Sequence, residues 1–142
     1  MPVQAAREHG SETATRGIRV RVIPSFDPDQ SGESESWRGR RYVFSYRIRI
    51  TNEGHVRARL VSRHWIIVDA DGERHEVRGE GVIGQQPDLA PGQAHEYSSY
   101  CPLGTPWGTM EGSFQMEDEF GARFDAEVAR FYLVAPAEAH AG

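Results

Sequence analysis

Apolar and polar residues alternate with a period of two along most of this chain, the pattern of half-buried β-strands. The clearest run extends from Tyr42 to Thr51, where every even-numbered position is apolar. Similar runs occupy Ile18–Val22, His95–Cys101, Met110–Met116 and Ala122–Val134. No segment of useful length has the 3.6-residue period of an amphipathic helix. The pattern therefore predicts an all-β protein of at least seven short strands.

The run from Val56 to Asp69 departs from this alternation, because Trp65–Val68 is apolar on both faces. Either the strand is central and covered on both sides at that point, or a β-bulge shifts its phase. Asp71–Gly72 then predicts a two-residue hairpin turn. Such a turn would place His64 opposite Gly79 on the returning strand.

The predicted strands belong to one domain. Residues 1–16 and 135–142 are small, polar or alanine-rich, and we expect flexible tails on either side of a domain at 17–134. The long connections Pro24–Arg40 and Gly79–Gln93 are expected to be surface loops. Seven or eight antiparallel strands in a domain of this size favour an immunoglobulin/fibronectin type III-like two-sheet sandwich.

Composition narrows the classes of partner. The net charge of −5 argues against nucleic-acid binding, and the lack of an apolar run of about 18 residues argues against membrane insertion. The single cysteine, Cys101, fits a reducing compartment. The N-terminal residues have no hydrophobic signal stretch. We therefore expect a cytoplasmic protein.

Gly79–Gly84 matches the dinucleotide-binding motif G-x-G-x-x-G. That motif works when a helix follows and its N-terminus holds the pyrophosphate. Here Pro87, Pro91 and Gly92 follow, which break any helix. The chain has no lysine and therefore lacks the phosphate-binding P-loop motif, which requires one. It also lacks the G-x-S-x-G motif that holds the nucleophilic serine of α/β-hydrolases. We expect no cofactor and no enzymatic activity.

The expected turn gives no support for a metal site. It would put His64 and His75 four positions apart on one face, about 13 Å by the usual strand rise, so they could not share a zinc ion. The acidic segment Asp27–Glu35 lacks the spacing of a calcium loop. No preformed metal site is expected, and only weak magnesium or cobalt binding in that segment is left open.

All 16 basic residues are arginine. Four of them, Arg19, Arg21, Arg47 and Arg49, fall on the polar faces of two predicted strands. They could form a basic stripe that holds a polyanion or an acidic peptide. The alternative, which we favour, is a solvated face neutralised by neighbouring carboxylates.

A series of blocks in one order gives the chain a family resemblance. The blocks are Ser62–Ile67, Asp71–Gly72, Val77–Pro87, Leu89–Gly92, Tyr97–Ser99, Cys101–Leu103 and Gly108–Ser113. In these blocks the sequence resembles the ApaG family. The resemblance implies a fibronectin type III-type sandwich, found in small bacterial proteins and fused into eukaryotic proteins that bind other proteins. It also implies an association with cobalt resistance and magnesium efflux, and with a neighbouring gene whose product hydrolyses diadenosine tetraphosphate.

Two functions remain as hypotheses. The first is a protein-interaction module for an unidentified partner, which uses the long loops and an exposed sheet edge. The alternative is a binder of phosphate, pyrophosphate or a dinucleoside polyphosphate at the glycine-rich loop. The loop residues that would bind it are Gly79, Glu80, Gly81 and Gly84, with charge from Arg78 and His64.

Overall fold

Two antiparallel β-sheets form the part of the chain that the computed structural model describes, residues 8–34 and 37–137. The strands are β1 (Ser11–Thr15), β2 (Ile18–Ser34), β3 (Trp37–Asn52), β4 (Ala58–Asp69), β5 (Arg74–Glu80), β6 (Asp88–Leu89), β7 (Ala94–Leu103), β8 (Trp107–Asp118) and β9 (Arg123–Val134). The first sheet has the order β1-β2-β3-β7. The second has the order β5-β4-β8-β9, with the short β6 also paired to β4. The predicted all-β sandwich is confirmed, with nine strands in the described residues where seven or eight were expected.

The core lies between the two sheets and is built from the inward-facing residues of both. All five apolar residues at the even positions of 42–50 are buried, as the alternation predicts. Opposite them lie the largest buried side chains of the second sheet, which include Phe114 and Phe131. Trp65 makes edge-on contacts with both of these rings, at centroid distances of 5.8 and 6.0 Å. Such aromatic contacts stabilise a core beyond the area they bury.

The double-sided apolar stretch in β4 is explained by a shift in register. The pairing of β4 with β8 slips between Leu60 and Ser62, which is a β-bulge at Val61. Before the bulge even-numbered residues point inward, and after it odd-numbered residues do, so Trp65 is buried. Of the two explanations open from the sequence, the phase shift accounts for the inward direction of Arg63 and Trp65.

The predicted N-terminal tail at 1–16 is corrected in part. Ser11–Thr15 form β1 and pair along the edge of β2. The Ser11 hydroxyl also donates to the Ala129 carbonyl of β9 at 2.7 Å. Its side chains are small or polar, and pairing with the adjacent strand β2 and the hydrogen bond to β9 hold it in place. Residues 1–7 lie outside the described chain, as do 138–142 of the predicted C-terminal tail.

The predicted loop from Pro24 to Arg40 is wrong, because most of it forms the arms of a β2–β3 hairpin. Phe26 packs against Phe44 at a ring-centroid distance of 5.6 Å and extends the core into this region. Pro24 is tolerated within β2 because the partner strand β1 pairs only as far as Val22, which leaves β2 as an edge strand there.

The two sides of the sandwich differ. On one side β1 and β2 lie against β9, where the Thr15 hydroxyl accepts a hydrogen bond from the Glu127 backbone N–H. On the other side β5 and β7 end their sheets, and no described strand pairs with their outer edges. Within residues 8–34 and 37–137, no helix is long and apolar enough to cross a bilayer.

Candidate functional site

A cleft of about 650 Å³ opens between the two sheets on the side where β5 and β7 end. Its lining includes apolar side chains from both sheets, among them Tyr46, Trp65, Ile67, Leu103 and Met110. All but one of the residues of β5 are exposed. A concave apolar surface of this size is within the range of ligand-binding clefts, about 300–1,000 Å³.

Both rims of the cleft are strands with an unpaired edge. Val77 of β5 is 40% exposed, and Tyr100 of β7 is 56% exposed. These are large apolar side chains next to backbone groups that have no strand partner in the described chain. Unpaired edges of this kind can accept an added strand.

Arg63 lies at the inner end of the cleft and secures the glycine-rich loop. The bulge at Val61 turns its side chain to the inner face of its own sheet, and Nη1 donates to the carbonyls of Glu80 and Gly81 at 3.0 and 2.9 Å. The guanidinium lies against Gly79, where a Cβ atom would come within 2.8 Å of it. A side chain at the first glycine of the motif would therefore push the Arg63 guanidinium away from these two carbonyls.

The rest of the loop is a tight turn attached to the same bulge. Ile83 and Gly84 have positive φ angles of 48° and 74°, and the Val82 N–H donates to the Gln85 carbonyl at 2.8 Å. The Gly81 N–H donates to the Val61 carbonyl at 2.9 Å. No helix follows, so the loop cannot hold a pyrophosphate in the dinucleotide-binding manner.

A smaller pocket of about 240 Å³ lies beneath this loop and adjoins the cleft. Arg63, Tyr97 and Ser99 contribute polar groups to it. The Tyr97 hydroxyl is buried and has no hydrogen-bond partner among the described residues. Burial raises the pKa of Tyr97, so the hydroxyl remains a donor. Arg63 forms no ion pair with a described carboxylate, although Glu80 also lines the pocket.

The candidate binding residues divide between two surfaces. His64, Arg78 and Gly79 line an open depression on the outer face of β4 and β5, whereas Gly84 lines the inner pocket. Glu80 borders both. His64 Nε2 is 2.9 Å from a Glu76 oxygen. That hydrogen bond, with a second from Arg74, lowers the pKa of Glu76. Arg78 and His64 therefore do not face the inner pocket.

Arg63 and Tyr97 were missed from the sequence. An arginine two positions before a tryptophan gives no sign of its direction unless the bulge is known. Tyr97 belongs to an alternating run, where a tyrosine is an ordinary core residue. The one available signal was the break in alternation within β4, which is where the bulge occurs.

Cys101 also lines the cleft but does not suit nucleophilic chemistry. Burial raises the pKa of its thiol from 9.0 to about 12. The thiolate is the reactive form, so the thiol is inert near neutral pH.

Three of the four arginines of the expected basic stripe form ion pairs with carboxylates. Arg47 and Arg49 both bind Glu96, at 2.7 and 2.8 Å. Arg19 binds Glu53 at 3.0 Å and Glu12 at 3.4 Å. These pairs favour the interpretation as a solvated, neutralised face.

The β4–β5 hairpin differs from the predicted two-residue turn by one residue. It has a three-residue loop, and the Asp69 N–H donates to the Glu73 carbonyl at 3.0 Å. His64 therefore lies opposite Arg78, and His75 opposite Ile67. His64 and His75 are on opposite faces of the sheet and cannot share an ion. The same register brings Asp69, Glu73 and His75 together at the mouth of the cleft, with one ligand atom from each within 4.8 Å of the others.

Known proteins are similar to this chain in sequence and in architecture. A family model described as the ApaG domain matches residues 32–118. The chain is 52% identical over 130 residues to Protein ApaG of Aromatoleum aromaticum, covering 92% of this chain and 99% of the relative. It is 50% identical over 126 residues to Protein ApaG of Anaeromyxobacter dehalogenans, covering 89% and 96%. The X-ray structure of Northeast Structural Genomics Consortium target SoR45 superimposes with a TM-score of 0.79 at 39% identity, covering 89% of this chain and 92% of that one. The chain therefore belongs to the ApaG domain family.

Proposed function

We propose that this protein is a non-enzymatic interaction module that binds an extended segment of a partner protein in the cleft between β5 and β7. The observation that carries the proposal is the position of two unpaired strand edges on either side of an apolar floor. An extended peptide can hydrogen-bond to such an edge through its main chain while alternate side chains enter the cleft.

The surface chemistry of the cleft supports a peptide with an apolar anchor. Tyr46 and Trp65 form an edge-on pair on the cleft floor, at a centroid distance of 5.7 Å. Buried aromatic and aliphatic anchors contribute most of the affinity in protein interfaces. The role in cobalt resistance and magnesium efflux that the family resemblance implies would then be indirect and act through the bound partner.

A matched pair of substitutions tests this proposal. Val77 on the cleft rim and Val134 on β9 are 40% and 39% exposed. Both sites should tolerate Asp with similar, small effects on stability. A photo-crosslinking residue at Tyr100 should capture a recurrent cellular protein, and mass spectrometry should locate the crosslink in one extended segment of it. Val77→Asp should abolish binding of a synthetic peptide of that segment, and Val134→Asp should not. Equal binding by the two variants, or no recurrent crosslink, would contradict the proposal.

A second candidate function is the binding of phosphate or pyrophosphate in the inner pocket, and the unpartnered Tyr97 hydroxyl favours it. The pocket is smaller than the about 300 Å³ at which sites for larger ligands begin, so it suits the anion rather than a whole dinucleoside polyphosphate. Arg63 would supply the charge, in place of Arg78 and His64.

Removal of one hydroxyl group tests this second function. Tyr97→Phe leaves the ring in place, and it should weaken pyrophosphate binding measured by calorimetry. Tyr100→Phe, on the outer side of β7, is the control. Retention of wild-type affinity by Tyr97→Phe, or absence of pyrophosphate binding by the wild type, would exclude the pocket as an anion site.

A further inference from the structure

The β4–β5 hairpin carries a group of metal-ligating side chains at the mouth of the cleft. Asp69, Glu73 and His75 all point to the cleft side of the sheet, and one ligand atom from each lies within 4.8 Å of the others. Their strand positions fix this arrangement. Asp69 and Glu73 face each other across the hairpin, and His75 follows Glu73 by two positions on the same face.

The Asp69 carboxylate is oriented by its own turn. Its Oδ1 atom accepts hydrogen bonds from the backbone N–H groups of Asp71 and Glu73, both at 2.9 Å. These two bonds fix the carboxylate and leave Oδ2 for another ligand. Hydrogen bonds of this kind orient metal ligands in known sites.

The local charge is uncompensated. Among the described residues, the carboxylates of Asp69, Asp71 and Glu73 form no ion pair. Elsewhere in the described chain, seven carboxylates do form them, namely Glu12, Glu53, Glu76, Asp88, Glu96, Glu111 and Glu117. The side chains of Glu73 and His75 have no hydrogen-bond partner in the described chain. Three acidic groups beside a free imidazole attract a cation.

We infer that Asp69, Glu73 and His75 form an open binding site for a divalent first-row transition metal. The imidazole selects such metals over magnesium and calcium, which prefer all-oxygen ligand sets. Three protein ligands leave coordination positions to water or to a group on a bound partner. The site is distinct from the acidic segment that begins at Asp27, and it includes only one of the two histidines considered from the sequence.

Manganese(II) is a suitable probe because its paramagnetism broadens NMR signals from nearby nuclei. Substoichiometric Mn²⁺ should broaden the amide signals of residues 69–75 before others. Zinc(II) binding measured by calorimetry should weaken about tenfold or more in His75→Ala, since even the loss of a group that only orients a ligand costs about 10–100-fold. Glu73→Gln should also weaken it, and a tenfold excess of magnesium should not displace zinc.

His64→Gln is the matched control, because His64 lies on the opposite face of the same strand pair. This variant should bind zinc as the wild type does. His75 and Glu73 are exposed, and the amide spectrum of each variant verifies that it is folded. Three results would overturn the site: wild-type affinity in His75→Ala, broadening centred on other residues, or magnesium competing equally with zinc.

Discussion

Replacing Gly81 with alanine should destabilise the protein much more than the same change at Gly84. Both glycines have positive φ angles, 61° and 74°. An alanine in this region costs about 1–2 kcal/mol, offset by about 0.4–1 kcal/mol because alanine restricts the unfolded chain. At Gly84 no atom lies within 4 Å of an added Cβ. The expected loss for Gly84→Ala is therefore about 0–1.6 kcal/mol.

Gly81 carries a further cost, because its Cβ would overlap the Gln85 carbonyl oxygen. That oxygen accepts the hydrogen bond from Val82 that closes the turn. Loss of this bond costs about 1 kcal/mol, and the overlap adds about 1–3 kcal/mol. Gly81→Ala should therefore lose about 2–5.6 kcal/mol in total.

Urea denaturation followed by tryptophan fluorescence measures both losses, with buried Trp65 as a probe of the core. The slope of free energy against urea concentration should not change. In thermal melts each kcal/mol corresponds to about 2–4 °C for a chain near this size. NAD and ATP should leave the melting temperature of both variants and of the wild type unchanged. Equal losses at the two positions would refute the argument from overlap. Micromolar dinucleotide binding that Gly81→Ala removes without loss of stability would restore the motif as a cofactor site.

Three further predictions concern other sites. Because the pKa of Cys101 is raised, its contribution to stability is complete below the unfolded thiol pKa and declines as pH rises from about 8.5 toward 12. Urea titrations between pH 8 and 10 should show that the free energy of unfolding falls by up to about 1.4 kcal/mol per pH unit. In Cys101→Ala this fall should be smaller, and an identical fall in the variant and the wild type would contradict the prediction. Gly79→Ala should destabilise the wild type but have little effect on the stability of the Arg63→Ala variant. If the losses of stability in this double-mutant cycle were additive, the contact between Gly79 and Arg63 would not be the cause. After dialysis against a chelator the protein should retain no stoichiometric zinc, because three exposed ligands do not form a closed site; one zinc per chain by elemental analysis would show otherwise.

The fold was predictable from the sequence because the alternation of apolar and polar residues shows which side chains of a strand are buried. In β3 each even-numbered residue from Tyr42 to Ile50 is buried, since the strand pairs regularly with β7 over that length and with β2 from Val43 onward. β1 was not predictable, because Ser11–Thr15 contain no large apolar residue. Their order depends on pairing with the adjacent strand β2 and on a hydrogen bond to β9, which is remote in sequence.

The candidate sites were less predictable because they depend on register. Asp71–Gly72 suggested a two-residue turn, but Gly72 takes a φ of 83° as the last residue of a three-residue loop. The common three-residue form places a type I turn before such a glycine. A slip of one residue moves side chains to the other face. The predicted turn would have put Asp69 on the face opposite His75, whereas the observed hairpin puts them together.

The contact between Gly79 and the Arg63 guanidinium has an evolutionary consequence. The Arg63 guanidinium occupies the space where a Cβ would lie, and it would have to leave its two carbonyl partners to admit one. Homologous chains that lose the arginine should be free to lose the glycine, and the two positions should covary. Under this constraint the G-x-G-x-x-G pattern could persist across a family by packing alone, with no ligand to select it. Retention of the motif would then result from the β-bulge in β4, which orients Arg63, and not from nucleotide binding in an ancestral protein.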